Sequence, residues 1–325
     1  MSPRYTPTSP SFSYGYTPMS PTYRPTSPIS CQSYAPVSLP YFAPSDALPE
    51  PLPTLEQVLS CQDFLAHPNA YLYKRVSIVR IGKFVAKYGK DVRSVEGETM
   101  LLVKSTTAVP VPEVYAIYTF GEDDEMTMLI TEFVEGLPLG DYLESMTVEQ
   151  VDNIQKQLTA QMDILRCIPA QGYYGAIGRR PFIDPYSSEE YGPYDEYTDF
   201  NTAWFGIYFP HNDTKRFTDI KKFFTISFEC IATAKRHTYP VFTHGDLHEE
   251  NIIVRSCGTP VIIDYETAGF YPAYHERLVM QNNRCPLDIL SEEFSDECEM
   301  EIDARNAWNK AERERESDDF INLDY

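Results

Sequence analysis

The stretch FTHGDLHEENIIVRSCGTPVIID, residues 242–264, gathers His244, Asp246, His248, Glu249, Glu250 and Asn251 around Gly245. It then runs into two short β-type segments, NIIV and VIID, joined by the turn RSCGTP. Polar residues beside a glycine are common in any turn, so the residue types alone decide little. The spacing says more. Asp246 precedes Asn251 by five residues, close enough for both to face one cleft if the loop curls, and a hairpin would bring Asp264 back alongside them.

N-terminal to this stretch, VSIVRIGKFVAKYG (76–89) reads as a β-hairpin turning at Gly82 and Lys83, which puts Lys87 on a strand. A helix is expected over about 92–103, carrying Glu96, and the prolines of TTAVPVPEV stop it. VYAIYTF and MTMLITEFV form a second strand pair across the acidic turn GEDDE, and EGLPLG then breaks the pattern. A capping box over Thr147–Gln150 opens an amphipathic helix with Val148, Val151, Ile154, Leu158, Met162 and Leu165 on its apolar face. Leu55, Val58, Leu59, Phe64 and Leu65 suggest a short helix before the first hairpin, and Phe217, Ile220, Phe224 and Ile231 another helix later. One or two acidic helices are expected from about Leu287. The pattern predicts an α+β chain of two lobes, 54–136 and 137–325, preceded by a tail over 1–53.

A lysine on a strand, a glutamate on the next helix, then an Asp, an Asn and a second Asp on loops form a set suited to phosphoryl transfer. A cation must hold the nucleotide phosphates and a carboxylate must hold that cation, roles open to Lys87 and Glu96. Magnesium takes oxygen ligands, which Asn251 and Asp264 can supply. Asp246 could accept the proton of an incoming hydroxyl. A rival reading makes His244 and His248 zinc ligands of a hydrolase, but that four-residue spacing needs a helix where Gly245 and the following β run oppose one.

THGDLHEEN followed by VIIDYETAGFYPAYHE resembles the aminoglycoside phosphotransferase and choline kinase-like family, built on the protein-kinase-like fold. FVAKYG, VPVPEVYAIY and LITEFVEG extend the resemblance over residues 76 to about 277. It implies ATP and magnesium as cofactors, with Asp246 as catalytic base, Asn251 and Asp264 as magnesium ligands, Lys87 as the phosphate-holding lysine and Glu96 as its partner. Glu98 is the alternative partner, and backbone groups of Thr131, Glu132 and Phe133 would meet adenine. His244 and His248 are expected to fix the loop. The chain departs from the family in lacking a glycine-rich loop before Lys87, in DYET where DWEY or DWEF is commoner, and at His275, where Trp is frequent. A kinase-shaped binding protein that does not turn over ATP is therefore the competing class.

Composition narrows the partners. A net charge of -21 opposes binding to a nucleic-acid backbone, and no apolar run is long enough to span a membrane. Seven scattered cysteines without a CxxC pair fit free thiols in a reducing, cytoplasmic setting. The acceptor expected from the resemblance is a small hydroxylated molecule. The aromatic and acidic stretch 173–205 could wall its site and favour a cationic amine, or could simply be packing. The 1–53 segment is poor in aliphatic residues and is expected to be disordered. Within it Tyr5–Ser11, Tyr16–Thr22 and Tyr23–Ile29 resemble the heptads of the RNA polymerase II large-subunit tail, and Ser9, Ser20 and Ser27 each precede proline, as a proline-directed kinase requires.

Overall fold

The computed structural model describes residues 35–66, 75–143, 145–183, 190–208, 238–282 and 285–290. The heptad-like units, the helix expected around 217–231 and most of the expected C-terminal helices lie outside these residues.

The strands are β1 (Tyr41–Phe42), β2 (Phe64–Ala66), β3 (Val76–Ile81), β4 (Phe84–Gly89), β5 (Val114–Phe120), β6 (Met126–Glu132), β7 (Leu137–Pro138), β8 (Phe182–Ile183), β9 (Glu190–Tyr191), β10 (Pro240–Thr243), β11 (Ile252–Val254), β12 (Pro260–Ile262) and β13 (Gly269–Pro272). The helices are α1 (Leu55–Ser60), α2 (Ser94–Thr106), α3 (Leu139–Leu143), α4 (Val148–Arg166), α5 (Tyr197–Tyr208) and α6 (His275–Asn282). The fold is a two-lobed, protein-kinase-like α+β architecture, with six antiparallel strands in the order β1-β5-β6-β4-β3-β2.

The β3–β4 hairpin pairs Ile81 with Phe84 and turns at Gly82, whose φ of 59° suits glycine, while the Glu50 carboxylate accepts a 2.7 Å bond from the Lys83 amide. Alternation buries Phe84 and Ala86 on one face and leaves Lys87 pointing to the other, under α2. α2 packs against the sheet across Gly97, where a Cβ would lie 2.7 Å from the Ile117 and Leu129 Cδ1 atoms. That close approach brings Glu96 to the lysine.

Two expectations for the N-terminal region are corrected. Residues 35–53 are not all tail: Tyr41 and Phe42 pair with Ile117 and Ala116 at the sheet edge, and Ala43, Leu48 and Leu52 pack on its buried face. A few apolar anchors suffice because the neighbouring strand supplies the backbone partners. Phe64 and Leu65 belong to a strand, not a helix, because Phe64 pairs with Val79 of β3; residues 67–74, which join these strands, are outside the described set.

After β6 the chain leaves the large sheet, and β7 pairs with β11 in a three-stranded sheet completed by β12. α4 starts with the expected capping box: Thr147 Oγ1 accepts from Gln150 N at 3.3 Å and Gln150 Oε1 from Thr147 N at 2.9 Å. Ile154, Leu158, Met162 and Leu165 are buried, whereas Val148 is 88% exposed, since the first turn projects beyond the core. β10 pairs with β13, so Phe242 opposes Phe270, and the functional loop leaves the end of this ladder.

Candidate functional site

Lys87 is the centre of the site. Its ammonium lies 2.8 Å from Glu96 Oε2, 3.0 Å from Asp264 Oδ1 and 3.0 Å from Glu266 Oε2. Burial pulls this ammonium toward its neutral form, but Asp264, Glu96 and Glu266 outweigh that and hold its pKa well above the ordinary lysine value. The carboxylates feel the opposite imbalance. Their ligand oxygens lie within 4.8 Å of one another and share one cation, so the most enclosed of them resists ionisation. Burial, opposed by Lys87 and reinforced by Asp264 and Glu266, raises Glu96 to about 7.

The loop after β10 is held from below by groups in the core. His244 is buried; its Nε2 donates to the Ile263 carbonyl at 2.9 Å and its Nδ1 accepts from the Asp246 amide at 3.3 Å. Both ring nitrogens are therefore committed, which removes the zinc-ligand reading of this histidine and leaves it fixing the loop. Glu276, fully buried at the start of α6, accepts from His244 N at 2.6 Å and from Gly245 N at 3.3 Å. Its carboxyl is raised by burial, against the pull of His244, Arg166 and the two loop amides. Gly245 has φ 83°, and a Cβ there would sit 2.8 Å from the Thr267 carbonyl oxygen. The turn thus needs glycine for both conformation and space.

This turn presents Asp246 to the cavity. Asn251 uses its amide nitrogen to hold Asp246, at 2.9 Å from the main-chain oxygen and 3.3 Å from Oδ2, which leaves its carbonyl oxygen as a donor for a cation. His248 Nε2 lies 3.8 Å from Asp246 Oδ2, and this contact, against some burial, raises the imidazole pKa. Asp264 comes from the other side, immediately after the β11–β12 hairpin, with φ 60° and ψ 67°. A non-glycine residue in the left-handed region is uncommon and aims the carboxylate where an extended chain would not.

One cavity of about 870 Å³ is lined by Lys87, Glu96, Asp246, Asn251 and Asp264, and also by Thr131, Glu132, Phe133 and Val134. Every residue expected at the site reaches this hollow. The strand end is less open than expected, however: Glu132 N donates to Glu113 O and Phe133 N to Lys83 O, both at 2.8 Å, and the Glu132 side chain pairs with Arg255 at 2.7 Å. These two N–H groups are consumed by neighbouring backbone, and Val134 follows them along the wall of the cavity.

Glu98 does not serve Lys87; it pairs with Arg180. Glu266 was missed because DYET reads as a packing variant, yet its position two residues after Asp264 is the available signal. Glu276, too, was hidden in an aromatic segment. The aromatic wall is corrected: Tyr174, Phe182, Tyr197 and Phe200 pack with Tyr271 and Tyr274 in a buried cluster, because their rings find one another in place of a ligand.

A family model described as the phosphotransferase enzyme family matches residues 91–293, more than half of the sequence. The chain belongs to this phosphotransferase enzyme family. Among solved structures the phosphotransferase is similar to a thermostable mutant of aminoglycoside phosphotransferase APH(4)-Ia in its apo form, at 18% identity and a TM-score of 0.50, over 75% of this chain and 80% of that one. An aminoglycoside phosphotransferase in complex with GDP and kanamycin aligns at 19% identity and a TM-score of 0.46, over 73% and 76% of the two chains. The choline kinase LicA from Streptococcus pneumoniae aligns at 11% identity and a TM-score of 0.43, over 75% and 77%. At such identities the likeness concerns the fold alone. No curated protein matches the sequence.

Proposed function

We propose that this phosphotransferase moves the γ-phosphoryl group of Mg-ATP to a hydroxyl of a small molecule. The carrying observation is the convergence of Lys87, Asp246, Asn251 and Asp264 on one cavity, with Lys87 fixed by Glu96 at 2.8 Å. Lys87 holds phosphate oxygens, exchanging part of its contact with Asp264 and Glu266 for them. The oxygens of Asp264 and Asn251, with Glu266 close by, are a hard donor set of the kind magnesium takes. When bound, magnesium neutralises charge on the phosphate oxygens.

Asp246 orients the acceptor hydroxyl and takes its proton as the oxygen–phosphorus bond forms and ADP departs. Asn251 and His248 hold that carboxylate from two sides, so little reorganisation accompanies transfer. The acceptor we favour is hydroxylated and cationic, because Glu250 and Asp246 line the same hollow. Cys61, Cys167, Cys257 and Cys285 are free thiols, which supports the cytoplasmic setting proposed for the chain.

Calorimetric titration with Mg-ATP, followed by a screen of hydroxylated amines for ATP consumption, tests the reading. Asp246→Asn should bind Mg-ATP as the parent does while turnover falls by about 10²- to 10⁴-fold. A parent protein that takes up no Mg-ATP is a binding protein of the same shape, and the proposal is then wrong.

A further inference from the structure

Helix α2 carries two glutamates, Glu96 and Glu98, on either side of Gly97. Residues two apart on a helix point roughly 200° from each other. Glu96 accordingly reaches Lys87, while Glu98, with 0% exposure, turns the other way. There it meets Arg180 in a two-pronged contact, Nη1 to Oε1 at 2.8 Å and Nη2 to Oε2 at 2.6 Å. Arg93, the residue that caps α2, forms a second ion pair with Glu190. Arg180 lies two residues before β8, and Glu190 opens β9, where it opposes Ile183. β8 also touches the Tyr265–Thr267 turn that carries Glu266, and that turn in turn packs on α2.

We infer that β8–β9 is a strap that latches α2 through Glu98–Arg180 and Arg93–Glu190 in the position where Glu96 meets Lys87. Arg93, Glu98, Arg180 and Glu190 are all absent from the lining of the cavity, so they act as positioning residues through Glu96. The geometry fits that role. A bidentate guanidinium–carboxylate contact fixes direction as well as distance, and a fully buried carboxylate deprived of that guanidinium favours movement of the helix toward water or another cation. Movement of α2 would carry Glu96 off Lys87, and the lysine would turn toward Asp264 and Glu266. The strap would then set nucleotide affinity without touching the nucleotide. The nucleotide part of this inference rests on the function proposed above; the latching of α2 does not.

The test uses the full chain and two readouts. Hydrogen exchange read by mass spectrometry follows α2 in the free protein, with α4 as internal control, and calorimetry follows Mg-ATP. In Arg180→Ala, α2 amides should exchange at least about tenfold faster while α4 is unchanged, and the Mg-ATP Kd should rise about tenfold. Arg180→Lys keeps a point charge but not the fork and should recover most of the exchange protection. Glu190→Ala, at an exposed pair, should loosen α2 by about twofold. Parent-like α2 exchange in Arg180→Ala overturns the latch. If that variant does not fold, parent-like α2 exchange in Glu190→Ala overturns it instead. A loosened α2 in a chain whose parent form takes up no Mg-ATP confirms the latch and removes the phosphotransfer reading alone.

Discussion

Replacing Glu96 by Gln should alter how stability depends on pH, and the direction follows from the crowd of carboxylates around Lys87. Glu96 is 4% exposed, and its carboxyl sits at about 7 against an ordinary value of 4.5. A group whose pKa rises on folding contributes its stabilisation below the unfolded value and loses it as pH climbs through the folded one. Between 4.5 and about 7 the native state therefore holds a proton that the unfolded chain has released. At about 1.4 kcal/mol per pH unit this amounts to about 3 kcal/mol, of which about 2 to 3 kcal/mol falls between pH 5 and 8. Glutamine cannot titrate, so groups shared by both proteins cancel to first order in the difference. Urea unfolding of parent and Glu96→Gln at pH 5, 6, 7 and 8 measures it. The parent should approach the variant in stability at pH 5 and fall behind it by about 2 to 3 kcal/mol at pH 8. A difference that stays flat, or that grows in the parent's favour with rising pH, would refute the argument that the carboxylates outnumber the charge available to them.

Two further predictions concern the loop that carries Asp246. Gly245→Ala would force a Cβ to 2.8 Å from the Thr267 carbonyl at φ 83°, so it should cost about 1 to 3 kcal/mol in urea unfolding and lower the rate of transfer more than nucleotide affinity. Glu276→Ala removes the acceptor from the buried His244 amide, at about 1 to 3 kcal/mol, and from the half-buried Gly245 amide at a smaller cost, and should likewise lower turnover while leaving the Mg-ATP Kd near the parent value, as calorimetry would read it.

Elements with a strong local period were legible. The β3–β4 hairpin, α2, the β5–β6 pair and α4 follow from alternation, turn glycines, a proline stop and a capping box, and Lys87 on β4 and Glu96 on α2 came with them. The β11–β12 hairpin likewise returned Asp264 to the loop of Asp246 and Asn251. What escaped depends on partners distant in sequence. Tyr41 and Phe42 become a strand only because β5 offers an edge, and Phe64 only because β3 does. Glu98 and Arg180 are 82 residues apart, and nothing local to either announces the pair. Tyr174, Phe182, Tyr197 and Phe200 show no period because they serve one irregular cluster, completed by Tyr271 and Tyr274 from beyond the loop of Asp246 and Asn251. Glu276 reads as one more acidic residue until His244 and Gly245 are seen to point their amides at it.

The electrostatics of the cavity bear on how so acidic a chain could take up a polyanion. Six carboxylate side chains line it, Glu96, Glu132, Asp246, Glu250, Asp264 and Glu266, against Lys87 and His248. Distant surface charge is screened within about 8 Å at physiological salt, so the net charge of -21 matters far less than this local count. Two of the six are already offset: Glu132 by Arg255, and Glu96 by Lys87 together with its raised pKa. Asp264 and Glu266 share the same Lys87 ammonium with Glu96, and Asp246 faces the imidazole of His248, so the carboxylates outnumber the cations that meet them. A bare triphosphate would meet more repulsion there than Lys87 can relieve. Under the proposed function, a nucleotide arriving with divalent cations would meet oxygen donors instead, so the carboxylate excess should favour the metal complex over ATP alone. If the chain takes up Mg-ATP as proposed, the arrangement around Lys87 would be selective by charge: its carboxylates keep the ammonium charged, and Asp264 and Glu266 would exchange part of their contact with it for the metal as phosphate oxygens take their place beside the lysine.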